Sequence, residues 1–140
     1  MRDNPLRNIS GPFILAPVTA ETVRDYTPYV RAARERRAKR QREAAARLDR
    51  AWDVAREIAA FLREKYQPTR IVAFGSMVHR VTFHLRSDID IAVDGIPWPA
   101  YLRAWNDVEE RFPEFKVDLI DVGIVSERMR QRIEEQGQAL

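Results

Sequence analysis

The stretch SDIDIAV, residues 87–93, alternates two aspartates with large apolar side chains. Because successive side chains of a β-strand point to opposite faces, Asp88 and Asp90 would share one face while Ile89 and Ile91 face a core. Two neighbouring carboxylates repel each other, and a divalent cation with oxygen ligands is the usual way in which proteins offset that repulsion. The stretch therefore predicts a buried strand that carries a metal-binding acid pair.

A second acidic strand is predicted at residues 116–122, KVDLIDV. The same alternation places Val117 and Asp121 on one face and Asp118 on the other. If this strand lies near residues 87–93, it can add Asp118 or Asp121 to the acid pair, but not both.

A turn of small residues precedes the acid pair. Residues 71–74, IVAF, predict a short buried strand that ends at Gly75-Ser76. Such a turn lets backbone N–H groups approach a phosphate where a helix begins. Together the turn and the acids indicate a metal-dependent site for a polyphosphate. The alternative for any single aspartate is that it caps a loop or pairs with arginine, which we expect for Asp94 and Asp121.

The order of these motifs resembles the minimal nucleotidyltransferases of the DNA polymerase beta superfamily. The resemblance extends over roughly residues 55–140 and rests on the strand ending in Gly-Ser, the Ser-Asp-Ile-Asp-Ile run and the later Val-Asp-Leu-Ile strand. It implies an α/β fold, the polymerase beta-like nucleotidyltransferase fold, in which helices flank a small mixed sheet. Here a long N-terminal helical arm would precede that domain.

The resemblance also implies roles for individual residues. The predicted catalytic residues, which are also the predicted Mg²⁺ ligands, are Asp88, Asp90 and Asp118. The predicted nucleotide-binding residues are Gly75, Ser76, Arg80 and Ser87. ATP would be the nucleotide substrate, and Asp118 would help to activate the acceptor hydroxyl.

Arg80 departs from the family pattern, because it stands where family members commonly have a second glycine. A glycine allows close backbone approach to phosphates, and an arginine does not. Arg80 could bind a phosphate through its own side chain, or it could mark a domain that has lost catalysis.

By resemblance, the reaction is the transfer of AMP to a hydroxyl of a separate helical partner protein. In the family, small domains of this kind are antitoxins that adenylylate a tyrosine of a HEPN-type ribonuclease toxin. The only histidines here, His79 and His84, do not form the ribonuclease motif of such toxins, so the antitoxin role is implied. Two alternatives stay open: a non-catalytic antitoxin with the same fold, and a nucleotidyltransferase that acts on RNA.

The remaining sequence predicts three parts: an irregular arm over residues 1–20, a long helical segment over 21–67 and the nucleotidyltransferase core over 68–140. No proline or glycine occurs between Tyr29 and Tyr66. An apolar seam at alternating spacings of four and three is predicted to pack on the core. Its members are Leu48, Trp52, Ala55, Ala59, Leu62 and Tyr66.

The first half of the helical segment is strongly basic. Residues 31–50 hold nine arginines and lysines against three acids, although the whole chain has a net charge of only +3. This asymmetry can indicate a surface that binds nucleic acid or an acidic partner. A partner protein is favoured over RNA, because no aromatic residue interleaves with these arginines for base stacking. The same charges would also keep an exposed helix soluble.

Composition restricts the function further. The chain of 140 residues is 45% hydrophobic and has no cysteine, which excludes disulfides, thiolate metal sites and a catalytic thiol. The apolar piece Pro12–Val18 is too short for a membrane span, so we expect a cytoplasmic protein.

Two helices are predicted in the second half of the chain. One over residues 101–112 would direct Leu102, Trp105, Val108 and Phe112 inward, with Trp98 also in the core. The other would begin after a Ser126 cap and end at Gly137.

Overall fold

The computed structural model describes residues 25–140, so the irregular arm predicted over residues 1–20 lies outside the described residues. The chain divides into two compact units, Met1–Arg34 and Glu35–Leu140. In the first unit, the backbone N–H of Thr27 donates to Asp25 Oδ1 at 2.9 Å where the first helix begins. The sheet and the candidate site belong to the second unit.

Three helices, four strands and one short 3₁₀ turn make up the described chain. In order they are α1 (Thr27–Tyr66), β1 (Arg70–Phe74), the 3₁₀ turn (Gly75–Met77), β2 (Ile89–Asp94), α2 (Ala100–Arg111), β3 (Val117–Asp121), α3 (Glu127–Gln136) and β4 (Gln138–Ala139). The strands form one sheet in the order β3-β2-β1-β4. Since β2 and β3 are parallel and the other pairs are antiparallel, the predicted mixed α/β sheet is confirmed. The division of the chain at residue 68 stays a prediction.

The second half of α1 packs into the core as its apolar seam predicts. Leu48, Ala55, Ala59 and Leu62 are buried, while Trp52 and Tyr66 pack against the core at its margin. Ala51, Val54 and Ile58 complete the buried face. The helix ends at Tyr66 because Gln67 adopts a left-handed conformation, with φ 51, and Pro68 follows it.

The strand alternation divides the sheet residues between two apolar clusters. Ile89, Ile91 and Leu119 are buried in the cluster that includes α1 and α2. Val72 and Ala92 are buried in a second cluster, with Ile133 of α3. Asp90 lies two positions before Ala92, so its side chain lies on the same face of the sheet, toward α3, and Asp118 lies on that face as well. This is the arrangement predicted for side chains that alternate along a strand.

The prediction for α2 was wrong in detail. Trp98, Leu102 and Trp105 are 53%, 47% and 40% exposed. The inward residues are instead Tyr101, Ala104 and Val108. Apolar side chains occur on more than one side of this helix, so its hydrophobic pattern did not define which stripe faces the sheet. Val108 was assigned correctly as buried, and Phe112 was assigned correctly as inward, since it packs against the core at its margin.

The last helix begins and ends as predicted. Ser126 Oγ accepts a hydrogen bond from the N–H of Met129 at 3.3 Å, and Gly137 follows α3. A Cβ at Gly137 would lie 2.4 Å from Val72 Cγ1, so only glycine lets the chain turn this close to β1 and form β4. Among the described helices, none is both long enough and apolar enough to cross a membrane.

Candidate functional site

Asp90 and Asp118 lie directly opposite each other in the parallel pair of β2 and β3. Paired residues of adjacent strands point to the same face of a sheet, so both side chains lie on the α3 face. Asp88 is the residue just before β2 and lies two residues before Asp90. Its negative charge raises the pKa of the Asp90 carboxyl. The structure thus places Asp90 and Asp118 side by side, with Asp88 close in sequence to Asp90. The roles of the three aspartates as catalytic residues and metal ligands stay a prediction.

Asp121 lies on the opposite face and has a structural partner. It is buried, and its Oδ1 accepts a hydrogen bond from the N–H of Gly123 at 2.8 Å. Of the two candidates for the third acid, Asp118 is therefore the one that joins the pair.

Gly75 brings the predicted phosphate-binding turn against the acids. It has φ +70, in the left-handed region, and a Cβ at this position would lie 2.2 Å from Asp90 Oδ2. Phe74, the residue before it, pairs with Asp90 across β1 and β2. The carboxylate of Asp90 therefore occupies the space that the missing side chain of Gly75 leaves.

Lys116 is a site residue that the sequence analysis missed. Its Nζ lies 3.1 Å from Asp88 Oδ2 and 3.5 Å from Asp118 Oδ1. The hydrogen bond to Asp88 is the main cause that raises the pKa of Lys116 above its ordinary value. Because Lys116 precedes Asp118 by two positions, the alternation of strand side chains could have identified it.

The charge on Asp90 is unfavourable in this setting. Burial is the main cause that raises the pKa of the Asp90 carboxyl, and the negative charges of Asp118 and Asp88 raise it further. Lys116 and Arg132 oppose this shift with their positive charges. A further cation beside Asp90 would relieve both the desolvation and the repulsion.

The three carboxylates fit a divalent ion by their chemistry, since Mg²⁺ prefers oxygen ligands and is commonly bound by carboxylates. Within residues 25–140, however, no three acidic, histidine or cysteine side chains already stand in an arrangement that would hold a metal ion. The ammonium of Lys116 lies between Asp88 and Asp118 instead. Metal binding here would therefore require Lys116 to move.

The predicted nucleotide-binding residues occupy different environments. Gly75 and Ser76 form the half-buried 3₁₀ turn after β1. Ser87 is buried, and its Oγ accepts a hydrogen bond from the N–H of His84 at 2.9 Å, which closes the loop before Asp88. Arg80 is exposed and lines a groove with Leu48 and Phe83.

Arg47 of α1 is a second residue that the sequence analysis did not assign to the site. Its guanidinium lies 4.2 Å from the centroid of the Phe115 ring, and its Nη2 is 3.5 Å from the carbonyl oxygen of Ser87. Ser87 precedes Asp88, and Phe115 precedes Lys116. Arg47 therefore contacts both segments that lead into the acid-bearing strands.

Comparison with protein families gives one match. The family described as polymerase beta, nucleotidyltransferase, matches residues 56–140. This range agrees with the resemblance inferred from the motifs over residues 55–140. No curated protein matches the sequence.

Solved structures of toxin–antitoxin complexes contain similar chains. One, of a toxin–antitoxin with AMP-PNP, has 29% sequence identity and a TM-score of 0.51, and the match covers 61% of this chain and 70% of that chain. A chain of the tri-AMPylated Shewanella oneidensis HEPN toxin in complex with MNT antitoxin has 25% identity and a TM-score of 0.47, with 64% and 70% coverage. A chain of the toxin–antitoxin MntA-HepT has 26% identity and a TM-score of 0.46, with 61% and 68% coverage.

Proposed function

The chain belongs to the polymerase beta nucleotidyltransferase family, and from this premise we propose that it transfers AMP from ATP to a hydroxyl group of a partner protein. The observation that carries the proposal is the pairing of Asp90 with Asp118 beside Gly75. The pairing supports a site in which carboxylates and a phosphate-binding turn act on the same triphosphate.

The nature of the nucleotide and of the partner is proposed from a similar structure. The solved structure at 29% identity is a toxin–antitoxin complex with AMP-PNP, which is an analogue of ATP. From this structure we take ATP as the nucleotide and a toxin as the partner, which makes this chain the antitoxin. The HEPN type of that toxin is taken from the family resemblance in the sequence.

Each site residue has a role in this proposal. Asp88, Asp90 and Asp118 would hold Mg²⁺, and the N–H groups of Gly75 and Ser76 would bind the triphosphate. When bound, Mg²⁺ would neutralise charge on the phosphates and on the leaving group. Ser87 would act by ordering the loop before Asp88. Arg80 would offer a cation to a phosphate.

The proposed reaction is an in-line displacement at the α-phosphorus of ATP. The acceptor oxygen, for example that of a tyrosine, forms a bond to the α-phosphorus. The bond between the α-phosphorus and the oxygen that bridges to the β-phosphate breaks, and pyrophosphate leaves. The hydroxyl proton passes to a base, which we assign to Asp118.

Labelling tests the proposal. We expect ATP labelled at the α-phosphate, with Mg²⁺, to label a helical protein encoded beside this chain. Asp88→Asn together with Asp90→Asn should abolish the label, whereas Asp94→Asn should retain it because Asp94 is exposed at the far end of β2. Label from the γ-phosphate alone, or full labelling by the double variant, would refute AMP transfer.

A non-catalytic antitoxin is the second candidate, and the position of Lys116 favours it. An ammonium already lies between two of the three carboxylates that would bind metal. In that case the double aspartate variant would bind the partner as tightly as the unchanged chain, and neither protein would produce label.

A further inference from the structure

The first part of α1 within the unit Glu35–Leu140 is largely exposed in the part of the chain that the structure describes. Residues 35–47, here called the basic segment, are exposed apart from the half-buried Ala38, Ala44 and Arg47, and the first fully buried residue of the helix is Leu48. The segment carries six basic and two acidic side chains, a net charge of +4. It is therefore a solvent-facing helix with a large local excess of positive charge.

The second half of the same helix shows a different use of its basic residues. Residues 48–66 hold four basic and four acidic side chains. Arg50 pairs with Glu57 and Glu114, Arg56 with Asp53, and Lys65 with Asp107. Arg63 donates to the carbonyl oxygen of Leu140. Every basic side chain in this half thus has a partner within the protein.

Four arginines of the basic segment lack such partners. Lys39 lies 3.9 Å from Glu43, and Arg47 contacts Phe115 and Ser87. Among residues 25–140, no ion pair or hydrogen bond involves Arg36, Arg37, Arg40 or Arg42. Each of them carries a positively charged guanidinium group on an exposed side chain. Their charge is available to a molecule outside this chain.

The arrangement of these arginines around the helix indicates the shape of that molecule. Successive residues of an α-helix are rotated by about 100° around the helix axis. Viewed along this axis, Arg40 and Arg37 lie roughly 40° and 100° to one side of Arg36. Arg42 lies roughly 120° to the other side. A flat acidic protein surface would contact one face of the helix only. Two rows of phosphates that flank a groove would contact cations on both sides.

We propose that the basic segment binds double-stranded DNA, with the helix in the major groove. A helix with side chains is about 10–12 Å wide, and the major groove of B-DNA is about 12 Å wide. Ala44, Ala45 and Ala46 keep part of the segment narrow. Double-stranded RNA is disfavoured because its major groove is deep and too narrow for side chains to read. Single strands are disfavoured because the segment has no aromatic side chain on which bases could stack.

Fluorescence anisotropy of the full chain with a labelled duplex of about 20 base pairs, two helical turns, tests the proposal. The test variant replaces Arg36, Arg37, Arg40 and Arg42 with glutamine. The control variant replaces Arg56, Arg63, Arg103 and Arg128, which are also exposed, and so removes the same charge elsewhere. Circular dichroism confirms that both variants are folded.

We expect the unchanged chain to lose about 100-fold in affinity between 50 and 200 mM salt, which corresponds to about four neutralised phosphates. The test variant should bind weakly, and the slope of its log affinity against log salt concentration should fall by about one per arginine removed, whereas the control variant should retain most of the affinity.

The proposal is wrong if both variants lose affinity equally, or if duplex RNA, single-stranded DNA or poly-glutamate binds as tightly as duplex DNA. Since none of the four arginines belongs to the acid site, AMP transfer should be unchanged in the test variant, so the two proposals can fail separately.

Discussion

Among single residues, Lys116 has the most direct influence on the charge of the acid site. It contacts Asp88 and Asp118 and is 67% exposed, so it can move away when another cation arrives. We predict that Lys116→Met strengthens Mg²⁺ binding by about two- to fivefold, the range expected for a charge interaction at the surface. Without metal the same change should lower the melting temperature, because the aspartates lose their counter-charge.

Thermal unfolding over a series of Mg²⁺ concentrations measures both effects of this change. Lys39→Met is the matched control, since Lys39 is similarly exposed but pairs with Glu43 on α1. Weaker Mg²⁺ binding by Lys116→Met would mean that Lys116 assists the metal site instead of competing with it.

Asp90 should make the protein less stable at neutral pH when metal is absent. Its raised pKa means that folding favours the protonated carboxyl. The protonated carboxyl therefore contributes its full stabilisation below the ordinary pKa, and this stabilisation is lost as the pH rises through the pKa of the folded state. Asn mimics the neutral form. We predict that Asp90→Asn, in a chelator, raises the melting temperature by about 2–4 °C near neutral pH and changes it little near pH 3.5.

Thermal melts at the two pH values check this prediction, with Asp94→Asn as the exposed control on the same strand. An equal gain for Asp90→Asn at both pH values would contradict the electrostatic explanation.

The acid site shows which single residues a sequence can reveal. Strand alternation fixes the face on which each side chain lies, and the register of β2 and β3 places Asp90 and Asp118 side by side. The grouping of Asp88, Asp90 and Asp118 as one metal site stays a prediction. Lys116 obeys the same alternation, but its positive charge does not fit the pattern of a metal-binding acid cluster, so the prediction did not include it. Arg47 could not be found in this way, because its contact with Ser87 joins residues far apart in sequence.

Between secondary-structure elements, Tyr101 connects α2 to β3. Its hydroxyl donates to the carbonyl oxygen of Leu119 at 2.6 Å, in a buried position. We predict that Tyr101→Phe lowers the free energy of unfolding by about 1–3 kcal/mol, because the buried carbonyl loses its donor. Urea denaturation measures this loss.

Trp105→Phe provides the comparison on the same helix. Trp105 is 40% exposed, so this change should cost less than Tyr101→Phe. If Trp105→Phe is the more damaging change, the stripe of α2 that faces the sheet has been assigned incorrectly.

Elements with a clear pattern were predicted well. α1 was recognised from its long run without proline or glycine. β1 was recognised from apolar residues that end at a turn, and β2 and β3 from the alternation of apolar residues with acids. The contacts of α2 were not, because apolar residues lie on several of its sides and the elements packed against it, α1 and the sheet, decide which of them become buried.

For the whole molecule, the core extends beyond the part that matches the family. The match begins at residue 56, yet Leu48, Ala51, Val54 and Ala55 are all buried. Burial of a leucine or valine side chain contributes about 1.5–3 kcal/mol, and total stabilities are about 5–15 kcal/mol. We therefore predict that a chain of residues 56–140 is largely unfolded, whereas residues 35–140 keep the stability of the full chain.

Circular dichroism during urea denaturation compares the three chains. A common midpoint for residues 56–140 and 35–140 would show that the middle of α1 contributes nothing to the core.

The sheet has a further consequence for how other proteins can recognise this one. On one edge, β4 pairs with Val72 and Ala73 of β1, and the N–H of Leu140 donates to the carbonyl oxygen of Ile71. On the other edge, the hydroxyl of Tyr101 occupies the carbonyl oxygen of Leu119. Foreign peptides that bind by β-augmentation need an open row of backbone donors and acceptors. These contacts cover part of each edge, so we expect a bound protein to be selected mainly by complementary side-chain chemistry.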